Sequence, residues 1–218
     1  MAQLDLFSVS NHNSPIPQPS PKNEKATDTI KGFKYIERYI NKCVHERLIE
    51  QIDGNSWLED LKRRVQHYGF KYDYKARKVN YGMHIGDLPE WLQILGQKLH
   101  EDGHMPAIPD QVIVNEYKPG QGISSHIDCE PCFENMIVSL SLGSSCVMDF
   151  THKLDKTKKI PVWLAPRSII VLRGESRYYW LHGIAPRKSD QWDGQTYNRK
   201  RRVSLTFRKV IIENPSRQ

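Results

Sequence analysis

The chain has 218 residues, enough for one domain with a sizeable core plus a tail, and a hydrophobic content of 38%. Its formal net charge of +7 favours a polyanionic partner, with nucleic acid the usual one. No apolar run is long enough to span a bilayer, and Met1–Ser20 lacks the basic start and continuous apolar stretch of a signal peptide. These features point to an intracellular, cytoplasmic chain with no membrane contact. Its four cysteines are then expected as free thiols.

The first elements are short. Gln3-Leu4-Asp5-Leu6-Phe7 is an apolar island ahead of a stretch from about Ser8 to Thr29 rich in Ser, Pro, Asn, Lys and Gln. That stretch has too little apolar surface to offset its ordering entropy, so residues 1–30 read as a disordered tail. The domain is expected over residues 31–212, with 213–218 as a C-terminal tail. Alternation after Gly32 predicts a strand. Asn41 is a fair N-cap for a helix running to Ile52. Trp57–Gln66 reads as helical or irregular, and Tyr68–Tyr74 as aromatic and partly alternating. A second helix fits Asp87–His100, with Pro89 in its first turn and Gly103 beyond its end.

From Asp110 the character changes to short β-rich runs punctuated by Pro and Gly. They are Gln111–Tyr117, Met136–Leu142, Cys146–Phe150, Ile160–Leu164, Ser168–Arg173 and Val203–Val210. Many short strands closing around a site suggest a sandwich or jelly roll, so the class is mainly β with flanking helices (α+β). Ala185–Arg201 is polar and basic and reads as an excursion between the last strands.

His126 and Asp128 stand at i and i+2, which in extended backbone places both side chains on one side. His182 follows 54 residues after Asp128. Two histidines and one carboxylate leave coordination positions open, a set that suits non-haem iron(II) and oxygen chemistry. Taken alone an HxD pair is common, and an isolated histidine is more often a surface residue than a ligand. The strand Arg202–Arg208 adds weight. Arg202, Ser204, Thr206 and Arg208 share one face, and Val203, Leu205 and Phe207 the other. A basic face turned into a barrel needs an anion, and a dicarboxylate held by fork-shaped guanidinium groups would supply it. Asn115 and Tyr117 share a face of the preceding strand and would donate to the same anion. Cys129 and Cys132 form a CxxC without a second ligand pair for zinc, which favours plain thiols.

Asn115-Glu116-Tyr117, Pro119-Gly120, His126-Ile127-Asp128, Ser139–Gly143, Gly174-Glu175-Ser176-Arg177, His182-Gly183-Ile184 and Arg202–Arg208 occur in an order that resembles the AlkB family. The resemblance covers roughly Val112 to Lys209. It implies a double-stranded β-helix (jelly roll) with an N-terminal nucleotide-recognition lid, Fe(II), and 2-oxoglutarate and O₂ as cosubstrates. Arg202 would hold the distal carboxylate and Arg208 would lie near the chelating end, with Asn115, Tyr117 and Ser204 completing the pocket. Ser204 stands where the family prototype has Asn. The implied reaction is oxidative dealkylation of a methylated DNA or RNA base, releasing formaldehyde, succinate and CO₂.

Such chemistry requires an extruded or single-stranded base. Tyr72 and Tyr74 offer stacking faces where the family keeps its lid, although core aromatics would look the same. Glu130 extends the HxD alternation toward a base edge. Arg177 would pair with Glu130 or hold the strand near His182. The segments 137–150 and 174–183 look closest to relatives that hydroxylate a tRNA wobble uridine and carry an added RNA-binding module and a methyltransferase, which a chain of this length has no room for. Gln3, Leu4, Asp5, Leu6 and Phe7 resemble the peptide by which bacterial replication and repair proteins dock on the sliding clamp. The leading expectation is a monomeric bacterial alkylation-repair dioxygenase. A tRNA hydroxylase and a non-catalytic nucleic-acid-binding module are the alternatives.

Overall fold

The computed structural model of the chain describes residues 21–59 and 61–212. The Gln3–Phe7 peptide, most of the expected N-terminal tail and the 213–218 tail lie outside the described residues. One part of that tail is corrected. Residues Pro21–Thr29 form a helix, α1, not a disordered segment. Its sequence is polar because it needs little apolar surface. Ala26 and, just past its end, Ile30 are its buried anchors. Asn23 does the rest: its side chain donates to Trp163 O and accepts from Trp163 N, both at 2.9 Å.

After α1 come β1 (Phe33–Ile36), α2 (Lys42–Asp53), β2 (Val65–Tyr68) and α3 (Glu90–Glu101). Asn41 caps α2 as its sequence requires, its Oδ1 accepting from Val44 N at 2.9 Å. Pro89 sits at the N-cap of α3, and Gly103 takes a left-handed φ of 72° beyond its end. The described residues from Trp57 to Arg64 are irregular apart from a bridge from Leu58 to Val65, where β2 begins. The aromatic stretch holds one short strand end and then turns. Tyr72 and Tyr74 are therefore not neighbours on a strand face.

The rest is β-rich: β3 (Gln111–Tyr117), β4 (Ile123–His126), β5 (Met136–Gly143), β6 (Cys146–His152), β7 (Lys159–Leu164) and β8 (Ile169–Arg173). A short helix α4 (Glu175–Tyr178) leads into β9 (Trp180–Ile184), the hairpin β10 (Ser189–Trp192) and β11 (Gln195–Asn198), and β12 (Arg202–Arg208). The polar excursion 185–201 thus contains a hairpin.

Two antiparallel sheets form the body. The larger has the order β1-β8-β5-β12-β3-β2 and the smaller β4-β9-β6-β7. The alternation of β12 divides the interior. Val203, Leu205 and Phe207 pack with Val44, Leu48 and Leu95 of α2 and α3 on one face of the large sheet. Arg202, Ser204, Thr206 and Arg208 face the space between the sheets. A second apolar cluster, including Phe33, Ile137, Phe150 and Ile170, fills the closed part of that space. The open part is the site.

Candidate metal and cosubstrate site

A cavity of about 580 Å³ opens between the sheets. β4 and β9 bring His126 and His182 directly opposite each other, with ring centroids 4.5 Å apart. Their close approach depends on Gly183, where a Cβ would stand 2.9 Å from the Ser125 backbone. Asp128 lies two residues past the end of β4, so it is the turn out of the strand, not an extended register, that brings it in. His126 Nε2 is 3.8 Å from Asp128 Oδ1. One ligand atom from each of the three residues lies within 4.8 Å of the others.

Their surroundings suit a metal. His126 Nδ1 contacts Ser124 O at 2.8 Å, and donation there leaves Nε2 with its lone pair free. Burial, reinforced by the neighbouring His126, pushes His182 down to about 3, so its imidazole is neutral at ordinary pH. Its buried Nδ1 has no hydrogen-bond partner among the described residues. Burial alone would raise Asp128, but Arg208 and the two histidines outweigh it and hold the carboxyl well below the usual range. Two imidazoles and one carboxylate are a fitting donor set for a divalent ion such as Fe(II).

Two guanidinium groups frame the cavity, and their partners differ. Arg208 Nη2 donates to Asp128 Oδ1 at 3.0 Å and Nη1 to Gln111 Oε1 at 3.3 Å, and the group lies 4.7 Å from the Phe133 ring centroid. Arg202 is only 3% exposed, and its one side-chain bond goes to Ser141 Oγ at 3.0 Å. Its Nε and Nη1 are buried without a hydrogen-bond partner among the described residues. A buried cation with two idle donors is costly unless an anion is taken up beside it. Register places Tyr117, Asn115 and Ser204 around Arg202: Tyr117 pairs with Arg202, and Asn115 with Ser204, across β3 and β12. All three line the cavity.

Tyr72 and Tyr74 also line it, edge to face with centroids 5.0 Å apart. Glu130 and Arg177 depart from the sequence reading. Glu130 is exposed, lies outside the cavity lining and pairs with Lys153 at 3.4 Å. Its alternation with Asp128 ends because the chain turns at 129–132. Arg177 is 2% exposed and reaches beneath the turn, donating to Asp128 O at 2.9 Å and Cys129 O at 3.1 Å. It holds the turn that carries Asp128, which is neither pairing with Glu130 nor holding the strand near His182. Cys129 and Cys132 are joined by a disulfide, not left as thiols, because the tight turn sets their Cα atoms 5.3 Å apart.

Arg63 escaped the sequence reading. It lines the cavity, and its Nε donates to Asn115 Oδ1 at 2.8 Å. The Lys62-Arg63-Arg64 run gives no sign of which member faces inward.

The fold and site define the class of Fe(II)- and 2-oxoglutarate-dependent oxygenases, and comparison with known proteins agrees. The model of the 2OG-Fe(II) oxygenase superfamily matches residues 16–208. The uncharacterized protein L905 of Acanthamoeba polyphaga mimivirus is 34% identical over 193 residues, covering 87% of this chain and 90% of the viral one. The mouse tRNA (carboxymethyluridine(34)-5-O)-methyltransferase ALKBH8 is 38% identical over 206 residues, 82% of this chain, which spans only 30% of the mouse protein's length. The solved structure of OsALKBH1 superposes with a TM-score of 0.66 at 18% identity, covering 82% of this chain and 96% of that one. The chain belongs to the 2OG-Fe(II) oxygenase superfamily and, within it, to the AlkB family. It is a dioxygenase that uses Fe(II), 2-oxoglutarate and O₂ on a jelly-roll fold.

Proposed function

We propose that the chain oxidises a base of a nucleic acid, with removal of an N-methyl group as its leading reaction. The observation that carries this reading is one cavity lined together by the His126-Asp128-His182 triad, the partly unpaired guanidinium of Arg202 and the tyrosine pair. His126, Asp128 and His182 would hold Fe(II). Arg202 would bind the distal carboxylate of 2-oxoglutarate with Asn115, Tyr117 and Ser204 beside it. Arg208, already bonded to Asp128, would fix that carboxylate and lend positive charge near the chelating end. With its cosubstrate bound, the iron supplies the oxidant for C–H cleavage.

The protein's own work is positioning and exclusion of water. Lys62, Arg63 and Arg77 line the cavity beside the two β12 arginines, and Asp128 is the one carboxylate among the lining residues. That excess of positive charge suits the phosphates flanking an extruded nucleotide. Tyr72 and Tyr74 would give the base a stacking face.

A second reading, hydroxylation of a modified tRNA base, is favoured by the 38% identity to a relative whose name describes tRNA modification. The two are separated by mass spectrometry of products from methylated DNA and RNA oligomers beside a wobble-modified tRNA anticodon stem. Formaldehyde with loss of a methyl mass from an oligomer supports dealkylation. A gain of one oxygen on the tRNA stem without formaldehyde supports the second reading.

A further inference from the structure

Of the three consecutive cations Lys62, Arg63 and Arg64, the first two line the cavity and the third turns away to Glu116. Arg64 forks onto the carboxylate of Glu116, its Nε to Oε2 at 2.7 Å and Nη2 to Oε1 at 2.8 Å, while Glu116 N donates to Arg64 O at 3.0 Å. Arg201 donates to the same carboxylate at 2.7 Å and also pairs with Asp53. On the other side, Gln121 Nε2 donates to Lys62 O at 2.6 Å. Arg63 is therefore fixed between two clamped neighbours and directed into the cavity.

Inside, its guanidinium carbon lies 5.9 Å from the Tyr117 ring centroid and 6.0 Å from that of Tyr74. No carboxylate of the described residues forms an ion pair with it. Its Nε donates to the side-chain oxygen of Asn115. An amide has one accepting end and one donating end. Once the oxygen is engaged by Arg63, Nδ2 is the end left for the cavity. An anion requires a donor there, and a flipped amide would present it with an oxygen instead.

We infer that Arg63 is a positioning residue that locks the Asn115 amide with its N–H groups toward the cosubstrate carboxylate. The inference rests on the proposed cosubstrate role of Asn115. It gives a cation that has no acidic partner among the described residues a use beside this pocket. It also makes Arg63 the physical link between the cosubstrate pocket and Tyr74 of the base-stacking pair.

The test is calorimetric titration of 2-oxoglutarate into the full chain loaded with Mn(II), so that binding is read without turnover. Arg63→Met, which keeps length without a donor, should weaken binding about 5-fold, the scale of one lost hydrogen bond. Arg63→Lys should recover most of that loss. In an Asn115→Ala background Arg63→Met should change binding by less than about 2-fold, because its effect passes through the amide. Equal weakening in both backgrounds overturns the inference. So does unchanged binding by Arg63→Met while Asn115→Ala and Arg202→Ala weaken it. If those two variants also bind as the parent does, the cosubstrate reading falls and the inference with it. Thermal unfolding of each variant reports on folding, and a loss confined to melting temperature counts against positioning.

Discussion

Arg177 shows how much of a metal site lies in residues that never touch the metal. Its guanidinium satisfies the carbonyls of Asp128 and Cys129 from below. Arg177→Ala takes the donor from Asp128 O, leaves Cys129 O with the Cys132 N–H alone, and opens a void under the turn. We expect a drop of about 10–100-fold in metal affinity, the usual cost of losing such support, measured by Mn(II) titration. Arg177→Lys should restore little of it, because an ammonium does not reproduce the fork. The residue scale also shows what sequence can reach. His126, Asp128 and His182 converge as their residue types suggested, and the period-two pattern of β12 separated Arg202 and Arg208 from their apolar neighbours. The role of Arg177 was not legible, because it bonds backbone carbonyls 49 and 48 residues away, and carbonyls leave no mark on residue choice. Glu130 was misplaced because alternation was extended past the end of β4, where the chain turns.

At the scale of elements, α1 and the β10–β11 hairpin were the hardest to read. In the smaller sheet β7 is an edge strand, and the amide of Asn23 pairs with the Trp163 backbone as a neighbouring strand would. Composition hides this, since one buried amide replaces a run of apolar residues. Asn23→Ala should destabilise the fold by about 1–3 kcal/mol, seen as a lower urea midpoint with an unchanged slope. The hairpin is held by Asp190, whose carboxylate accepts from Arg199 Nε at 2.6 Å, Arg199 Nη2 at 2.8 Å and Arg187 Nε at 2.8 Å. Burial would raise its pKa, but the two guanidinium groups outweigh burial and lower it. A carboxyl lowered on folding contributes stability above its unfolded value of about 3.9 and loses it as pH falls through the folded value. Stability should therefore fall on acidification below about pH 4. Asp190→Asn should be less stable at pH 7 and show a flatter acid limb in urea unfolding measured across pH. The strands around the cavity were far more legible: β3 has the bounds its sequence pattern sets, because it is bordered by clear breaks at Asp110 and Lys118-Pro119-Gly120.

At the scale of the whole molecule, two sheets and a layer of helices leave a deep opening, and the chemistry-bearing side chains meet there. α2 and α3 cover the outer face of the large sheet, so β12 can place a basic face inward without opening its other face to water. No helix among the described residues is long and apolar enough to cross a membrane. The claim that unites these levels is that the triad and Arg202 form one working centre. Its most direct measurement is succinate formation from 2-oxoglutarate by the full chain with Fe(II), with and without a methylated oligomer. The expected result is succinate production stimulated by the oligomer, matched by formaldehyde, and abolished by Asp128→Ala. Succinate production that survives Asp128→Ala would contradict the account.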